Sequence, residues 1–191
     1  VRNDWDSGFP QGTLIGYSGR SQNAYAGAFR GSLTVSSGTF RNDGGHLILG
    51  GGYAVGEMHQ TGGVSLINSY DDNYYYIPEG ENEQHVRNSK DSAGIVGFAG
   101  GEGLIECSGG QLDFFSDLYV GGADASVFMN IPYYRAGAPS TIYRPKKFTD
   151  FPFDRAGAKG VFRVSGGNVT MHRRLVLGAK GEGALEIVGA V

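Results

Sequence analysis

The sequence predicts an all-β fold in which short strands repeat along the chain and stack in parallel, a parallel β-solenoid of about six rungs. Three observations predict it. Glycine accounts for 34 of the 191 residues, well above the roughly 7% of an average protein. Apolar and polar residues alternate over short stretches, as in half-buried strands. The same motif also returns at a nearly constant spacing, which is the signature of a repeat architecture.

Composition and charge narrow the class of protein. The chain carries 11 Tyr, 11 Phe and 1 Trp, and this aromatic content argues against simple disorder. Glycine does not recur at every third position, which excludes collagen. The formal net charge is −3, so the sequence predicts no nucleic-acid partner. No run of about 18 apolar residues occurs, so the sequence predicts no membrane-spanning segment.

Three copies of the motif superimpose best. Each begins with Gly, alternates apolar and polar residues up to a Ser-Gly-Gly or similar corner, and closes on an apolar-x-apolar-Gly strand. The opening and closing glycines lie 19, 18 and 18 residues apart in the copies at 31–50, 103–121 and 160–178. Shorter copies begin at Gly56, Ala125 and Gly183.

Alternation within each copy separates a buried face from a solvent face. Along the first strand, the residues predicted to point inward are Leu33, Val35, Met58, Gln60, Ile105, Cys107, Val127, Met129, Phe162, Val164, Leu185 and Ile187. Along the strand before the closing glycine they are Leu47, Leu49, Leu118, Val120, Leu175 and Leu177. The residues between the inward pairs of the first strand are mostly polar, namely Thr34, His59, Glu106, Phe128, Arg163 and Glu186.

Adjacent glycines after the first strand predict a sharp corner, because glycine adopts positive φ without steric cost. A copy begins again 23 residues after Gly160, at Gly183. One such turn cannot bury its own inner face, and a neighbouring turn about 4.8 Å away supplies both the core and the hydrogen bonds. An antiparallel β-sandwich is the alternative, since its strands also alternate, but it does not require the same residue types at the same offsets.

Three segments interrupt the period, at about 17–30, 68–93 and 130–159. Such tyrosine-rich loops either pack on the outer face of the solenoid, over residues such as Ile48 and Tyr119, or present a contact surface to a protein or a sugar. The tyrosines of this candidate interaction surface are Tyr70, Tyr74, Tyr75, Tyr76, Tyr133, Tyr134 and Tyr143.

The sequence predicts no enzyme and no cofactor. It lacks the motifs of serine hydrolases, phosphate-binding loops, redox cysteine pairs and zinc proteases. A β-helix enzyme that cleaves polysaccharides needs clustered acids. The aligned copies place Asp113 beside Thr170 and Asp117 beside Arg174, with no acid in the adjacent copy.

A metal site is not predicted either. The loop around Asp71 and Asp72 offers oxygen ligands that suit Ca²⁺, but its spacing fits no EF-hand, and acidic loops are more often simply solvated. Cys107 is the one cysteine, and its place in an alternating strand predicts a small buried core residue rather than a reactive thiol.

Units of the form Gly-x-Leu-x-Val-Ser-Gly-Gly-x-Leu that close on Leu-x-Leu-Gly resemble the passenger-associated repeats of bacterial autotransporter-like surface proteins. The resemblance is strongest over 160–190 and covers 31–67, 94–129 and 160–191. It implies a right-handed parallel β-helix at the cell surface that serves as an adhesin, a stalk or an extracellular fibre. The tyrosine-rich insertions depart from the pattern of those repeats.

Together these observations predict an extracellular or bacterial cell-surface protein with a structural or adhesive role. Residues 1–191 are expected to form one solenoid domain of a longer chain or assembly. Unpaired strand edges invite pairing with another chain, so we expect homotypic association, end to end or through the loops, into a filament or surface layer. The alternatives are a glycan-binding module that uses the tyrosines and a polysaccharide lyase or hydrolase that uses Asp113 or Asp117.

Overall fold

A computed structural model confirms the all-β fold with parallel sheets. It describes residues 12–17, 29–42, 46–68, 93–123, 127 and 157–189. The strands in these ranges are β1 (Gly12–Tyr17), β2 (Arg30–Val35), β3 (Thr39–Asn42), β4 (His46–Gly51), β5 (Val55–Gln60), β6 (Val64–Ile67), β7 (Ala93–Phe98), β8 (Glu102–Phe114), β9 (Asp117–Val120), β10 (Ala158–Met171), β11 (Leu175–Leu177) and β12 (Gly181–Ile187).

The strands form two parallel sheets. The first sheet has the order β1-β4-β7-β9-β11, and the second has the order β12-β10-β8-β5-β2. Beside β2 and β5, the short strands β3 and β6 pair with each other, and β6 also pairs with the C-terminal part of β8. Both sheets follow chain order, so strands that are consecutive in the chain share one position of the stack. We call the strands at one such position a level. The described residues form five levels, which are β1–β3, β4–β6, β7–β8, β9–β10 and β11–β12.

The register of the second sheet confirms the repeat alignment read from the sequence. The opening glycines of successive copies pair with one another from level one to level five, and they are Gly31, Gly56, Gly103, Gly160 and Gly183. The copy expected at Ala125 is the exception. Of its strand only Val127 lies in the described part of the chain, and it is not in a strand. The described residues therefore give five levels, where the sequence predicted about six rungs.

The main core lies where the inward columns of the two sheets meet. In a parallel stack, each inward residue lies against the residue at the same offset in the next level, so a column of similar side chains forms. The ring of Phe114 meets that of Phe162 edge to face, with centroids 5.9 Å apart. The fully buried members include Leu47, Leu49, Met58, Val96, Ile105, Cys107, Leu112, Phe114, Leu118 and Val120.

The first sheet is buried on both faces at levels two and three. All six residues of β4 and all six of β7 are buried. On the outer face, Ile48 and Ile95 are fully buried and belong to a second apolar cluster, against which Tyr17, Tyr119 and Val127 also pack. This agrees with the expectation that something covers Ile48. The residues of the predicted insertions lie outside the described part, apart from those at their margins.

Two of the three insertions leave the stack at the same corner. The connections from β4 to β5 and from β7 to β8 take three residues each, at 52–54 and 99–101. At the equivalent position the chain inserts 18–29 between β1 and β2, and 121–157 between β9 and β10. The remaining insertion joins β6 to β7. The predicted bounds overlap the strands at their margins, since Tyr17 and Arg30 belong to β1 and β2, Ala93 belongs to β7, and Ala158 and Lys159 belong to β10.

Level two contains a buried polar pair where other levels carry apolar residues. Gln60 and Ser65 are both fully buried. Ser65 Oγ donates a hydrogen bond to Gln60 Oε1 (2.5 Å), and Gln60 Nε2 donates one to the carbonyl of Gly62 (2.6 Å). Their partners in level three are Cys107 and Leu112. Gln60 is thus a polar residue in an otherwise apolar column, and Ser65 supplies its hydrogen-bond partner.

We expect Gln60→Leu or Ser65→Ala alone to lower the free energy of unfolding by about 1–3 kcal/mol, because each leaves a buried polar group unpaired. The double variant Gln60→Leu/Ser65→Ala should lose less than the sum of the two, since it leaves neither group unpaired. Urea unfolding of the four proteins measures this coupling. Strict additivity of the two single losses would contradict the pairing.

Candidate functional site

The edge of level five is the most prominent apolar surface among the described residues. There β11 and β12 have a strand neighbour on one side only. Residues that continue the buried columns are exposed at this edge: Leu177 by 45%, Leu185 by 38% and Ile187 by 68%. Each occupies a position whose counterpart in levels three and four is packed in the core. Within the described part of the chain, the edge therefore presents strand backbone without a further strand neighbour together with apolar side chains.

The edge of level one differs from it. Among the described residues, β1, β2 and β3 also have a strand neighbour on one side only. However, the inward side chains of Ile15 and Val35 are 9% and 6% exposed. Leu14 on the outer face of β1 and Phe29 just before β2 are also exposed. At both ends of the stack the last strands thus lack a further neighbour among the described strands, and level five exposes more of its inward side chains.

A column of charged side chains crosses the outer face of the second sheet. His59 Nδ1 lies 3.1 Å from Glu106 Oε2. Arg163 Nη1 lies 3.5 Å from the other oxygen of Glu106, and Arg163 Nε donates a hydrogen bond to Glu186 Oε2 (2.7 Å). His59 Nε2 also lies 3.3 Å from Glu57 Oε2. The sequence predicted that these residues face solvent, but it did not predict that they pair across levels.

A second column on the same sheet also alternates in charge. It runs from Arg30 in level one through Val55 and Glu102 to Lys159 in level four and Glu182 in level five. In a parallel sheet, residues at the same offset are nearest neighbours across the strands. A positive side chain therefore stands at the level-one end of this column and a negative one at the level-five end.

The two candidate catalytic acids lie in different environments. Asp113 is buried on the outer face between Leu66 and Thr170, as the alignment of copies predicted, and it accepts a hydrogen bond from Gln111 (2.7 Å). Asp117 is bound by Arg174, also as predicted, through Nη2 to Oδ2 (2.6 Å) and Nε to Oδ1 (3.3 Å). Within the described residues, no second acid contacts either of them through a hydrogen bond or ion pair.

The Asp117–Arg174 contact gives a pH-dependent prediction. The side-chain hydrogen bonds from Arg174 hold the pKa of Asp117 below its ordinary value. A lowered folded-state pKa stabilises the fold above the unfolded-state pKa of about 3.9, and this contribution disappears as the pH falls through the folded-state pKa. We expect Arg174→Ala to raise the pKa of Asp117 and to reduce the loss of stability on acidification in that range.

NMR titration of the Asp117 carboxyl carbon measures this shift. Arg173→Ala is the matched control, because Arg173 acts on the pKa of Asp117 only through the weaker long-range charge interaction. An equal upward shift in the two variants would contradict the role assigned to the Arg174 hydrogen bonds.

Several predicted sites fall outside the described residues. The acidic loop at Asp71 and Asp72 is one of them. In the ranges that the structure covers, no group of three or more His, Cys, Asp or Glu side chains is arranged to hold a metal ion. The tyrosines of the candidate interaction surface all lie outside the described ranges: Tyr70, Tyr74, Tyr75, Tyr76, Tyr133, Tyr134 and Tyr143.

Two further features concern single side chains. Cys107 is fully buried, as predicted, and burial raises the pKa of its thiol, which lies 3.3 Å from the carbonyl oxygen of Gly166.

At the outer corner after β10, the ring of His172 stacks on that of Phe115, with centroids 4.3 Å apart. Sequence reasoning missed this stack, since neither residue repeats from copy to copy.

No protein-family model, curated protein or solved structure matches this chain significantly. The resemblance to autotransporter-like repeats therefore stays a prediction from the sequence motif. Within the described residues, no helix has the length and hydropathy needed to cross a bilayer.

Proposed function

We propose that this protein is a right-handed β-solenoid that serves as a structural or adhesive element outside a bacterial cell, with copies that associate into a filament or surface layer. The solenoid interpretation is supported by the path of the chain. From each strand of the first sheet the chain passes to the second sheet and returns to the first one level further on. The right hand follows from the strong preference of parallel crossovers for that hand.

The functional proposal rests on the exposed apolar side chains at the level-five edge. Leu177, Leu185 and Ile187 are exposed there, on and beside strands that pair with no further described strand on that side. Large exposed apolar surfaces mark interaction sites, and an unprotected strand edge recruits another strand. A further level stacked on this edge would bury those side chains in continuous columns. The extracellular location and the adhesive role rest on the motif resemblance.

Cryo-electron microscopy and sedimentation of the full protein over a concentration series test this function. Five levels at about 4.8 Å spacing give an axial repeat of about 24 Å for each copy. We expect ordered fibres or layers with that repeat and with the 4.8 Å strand spacing. A monodisperse monomer at high concentration would contradict self-association, and the tyrosines would then be tested on a glycan array as the alternative binding surface.

A further inference from the structure

We propose that the partner of the level-five edge is the level-one edge of a second copy of this chain, paired in parallel and in register. This inference rests on the proposed self-association and specifies its contact. The opening glycines define the register, so that Gly183 of one copy lies beside Gly31 of the next. The column alignment then places Leu185 beside Leu33 and Ile187 beside Val35, as inward neighbours are placed inside the stack.

The charges of the two edges are complementary in this register. Glu182 at the level-five end meets Arg30 at the level-one end. The column would then read Glu102, Lys159, Glu182 and Arg30, with alternating signs across the junction. Opposite charges directly across neighbouring strands stabilise a sheet, and like charges destabilise it.

A twofold arrangement of two level-five edges centred on Ala184 is less favourable. If two copies of β12 pair antiparallel about Ala184, Glu182 of each lies opposite Glu186 of the other, and these are like charges. The head-to-tail contact joins two different surfaces and does not close on itself, so it continues into a filament. This is the geometry that the proposed function requires.

The closing glycines lie where one level contacts the next, so they indicate where a second copy would contact level five. In levels one to four, a Cβ added to the closing glycine would clash with a backbone carbonyl of the next level: Gly16 with Val55, Gly50 with Glu102, Gly97 with Lys159, and Gly121 with Glu182. The clashing carbonyls belong to the column that begins at Arg30. Gly178 closes level five, and the nearest atom to its added Cβ is 3.2 Å away, in its own level.

The substitution Gly178→Ala therefore separates folding from assembly. In the single copy it meets no backbone of another level, whereas in the proposed contact its Cβ would clash with the carbonyl of Arg30 of the next copy. We expect the variant to fold and to require about tenfold or more higher concentration for assembly. Gly157→Ala is the matched control, since Gly157 also has positive φ (+92°) and open space but lies away from both edges.

Cysteine cross-linking identifies the register. Adjacent strands lie about 4.8 Å apart, within the roughly 4.4–6.8 Å that a disulfide spans between Cα atoms. We expect a mixture of Thr34→Cys and Glu186→Cys proteins to give the mixed disulfide dimer after mild oxidation. Ser32→Cys is the off-register control for Thr34→Cys. The wild type, in which Cys107 is buried, should give no cross-link.

The outcomes distinguish this inference from the proposed function. Fibres that form without the 34–186 cross-link, fibres of Gly178→Ala with wild-type affinity, or a preferred 186–186 dimer would overturn the head-to-tail contact and leave self-association standing. A protein that stays monomeric at every concentration, including one whose level-five edge is covered by its own chain, would overturn both.

Discussion

The substitution Gly50→Ala is expected to lower the free energy of unfolding by more than about 4 kcal/mol, which is among the largest effects of a single substitution. Gly50 has φ of +67°, a conformation that costs a residue with a Cβ about 1–2 kcal/mol. In addition, the new Cβ would overlap the backbone carbonyl of Glu102 in the next level. Two sheets bonded along their whole length cannot shift locally, so levels two and three must separate there.

The matched control is Gly178→Ala in dilute, unassembled protein. Gly178 closes level five in the same apolar-x-apolar-Gly motif and has nearly the same φ, +69°. Its added Cβ would have its nearest neighbour at 3.2 Å. We therefore expect a loss of only about 1–2 kcal/mol, the conformational part of the effect. Urea unfolding of both variants measures the difference. Equal losses in the free energy of unfolding would show that the contact between levels is not the reason why position 50 requires glycine.

The repeat alignment could be predicted because a parallel stack converts sequence offset into spatial position. Residues at the same offset in successive copies become neighbours across strands, so the recurrence of Gly31 at Gly56 and Gly103 was enough to give the register of the second sheet. The neighbours of Asp113 and Asp117 in the next level, Thr170 and Arg174, followed from the same alignment.

Other parts of the fold carry no such recurrence. The strand β1 belongs to level one, but no repeat motif in the sequence assigns it to a copy because the insertion after Tyr17 separates it from Gly31. Of the partial copy at Ala125 the structure describes only Val127, which is not in a strand. Burial of the first sheet on both faces at levels two and three was suggested by Ile48, but an alternating pattern alone does not specify it.

The candidate site was predicted only in part. Alternation placed Glu106 and Arg163 on the solvent face, but their pairing depends on side-chain geometry across levels. Association through strand edges was expected from the repeat pattern. Its complementarity with level one became visible only when the register placed Arg30 and Glu182 in one column. Charge order along a column is a property of the stack and not of any single repeat.

The substitution Phe114→Ala is expected to lower the free energy of unfolding by about 3–5 kcal/mol, as is typical of large cavities in a core. Phe114 is the last residue of β8 and lies on its inward face. It is fully buried, and its ring meets that of Phe162 edge to face. Its neighbours in the column, Ile67 and Met171, belong to strands that pair with β8 on its two sides. The surrounding levels therefore cannot collapse into the space that the ring leaves, and most of the cavity should persist.

Phe115→Ala is the matched control, one residue further along the chain and on the opposite face. Phe115 is only half-buried and stacks on the exposed ring of His172, so its removal leaves a site that water can fill. We expect a loss of about 1 kcal/mol or less. Thermal and urea unfolding measure both variants. A larger loss for Phe115→Ala would reverse the assignment of inner and outer faces at this corner, and with it the direction in which the columns of levels three and four point.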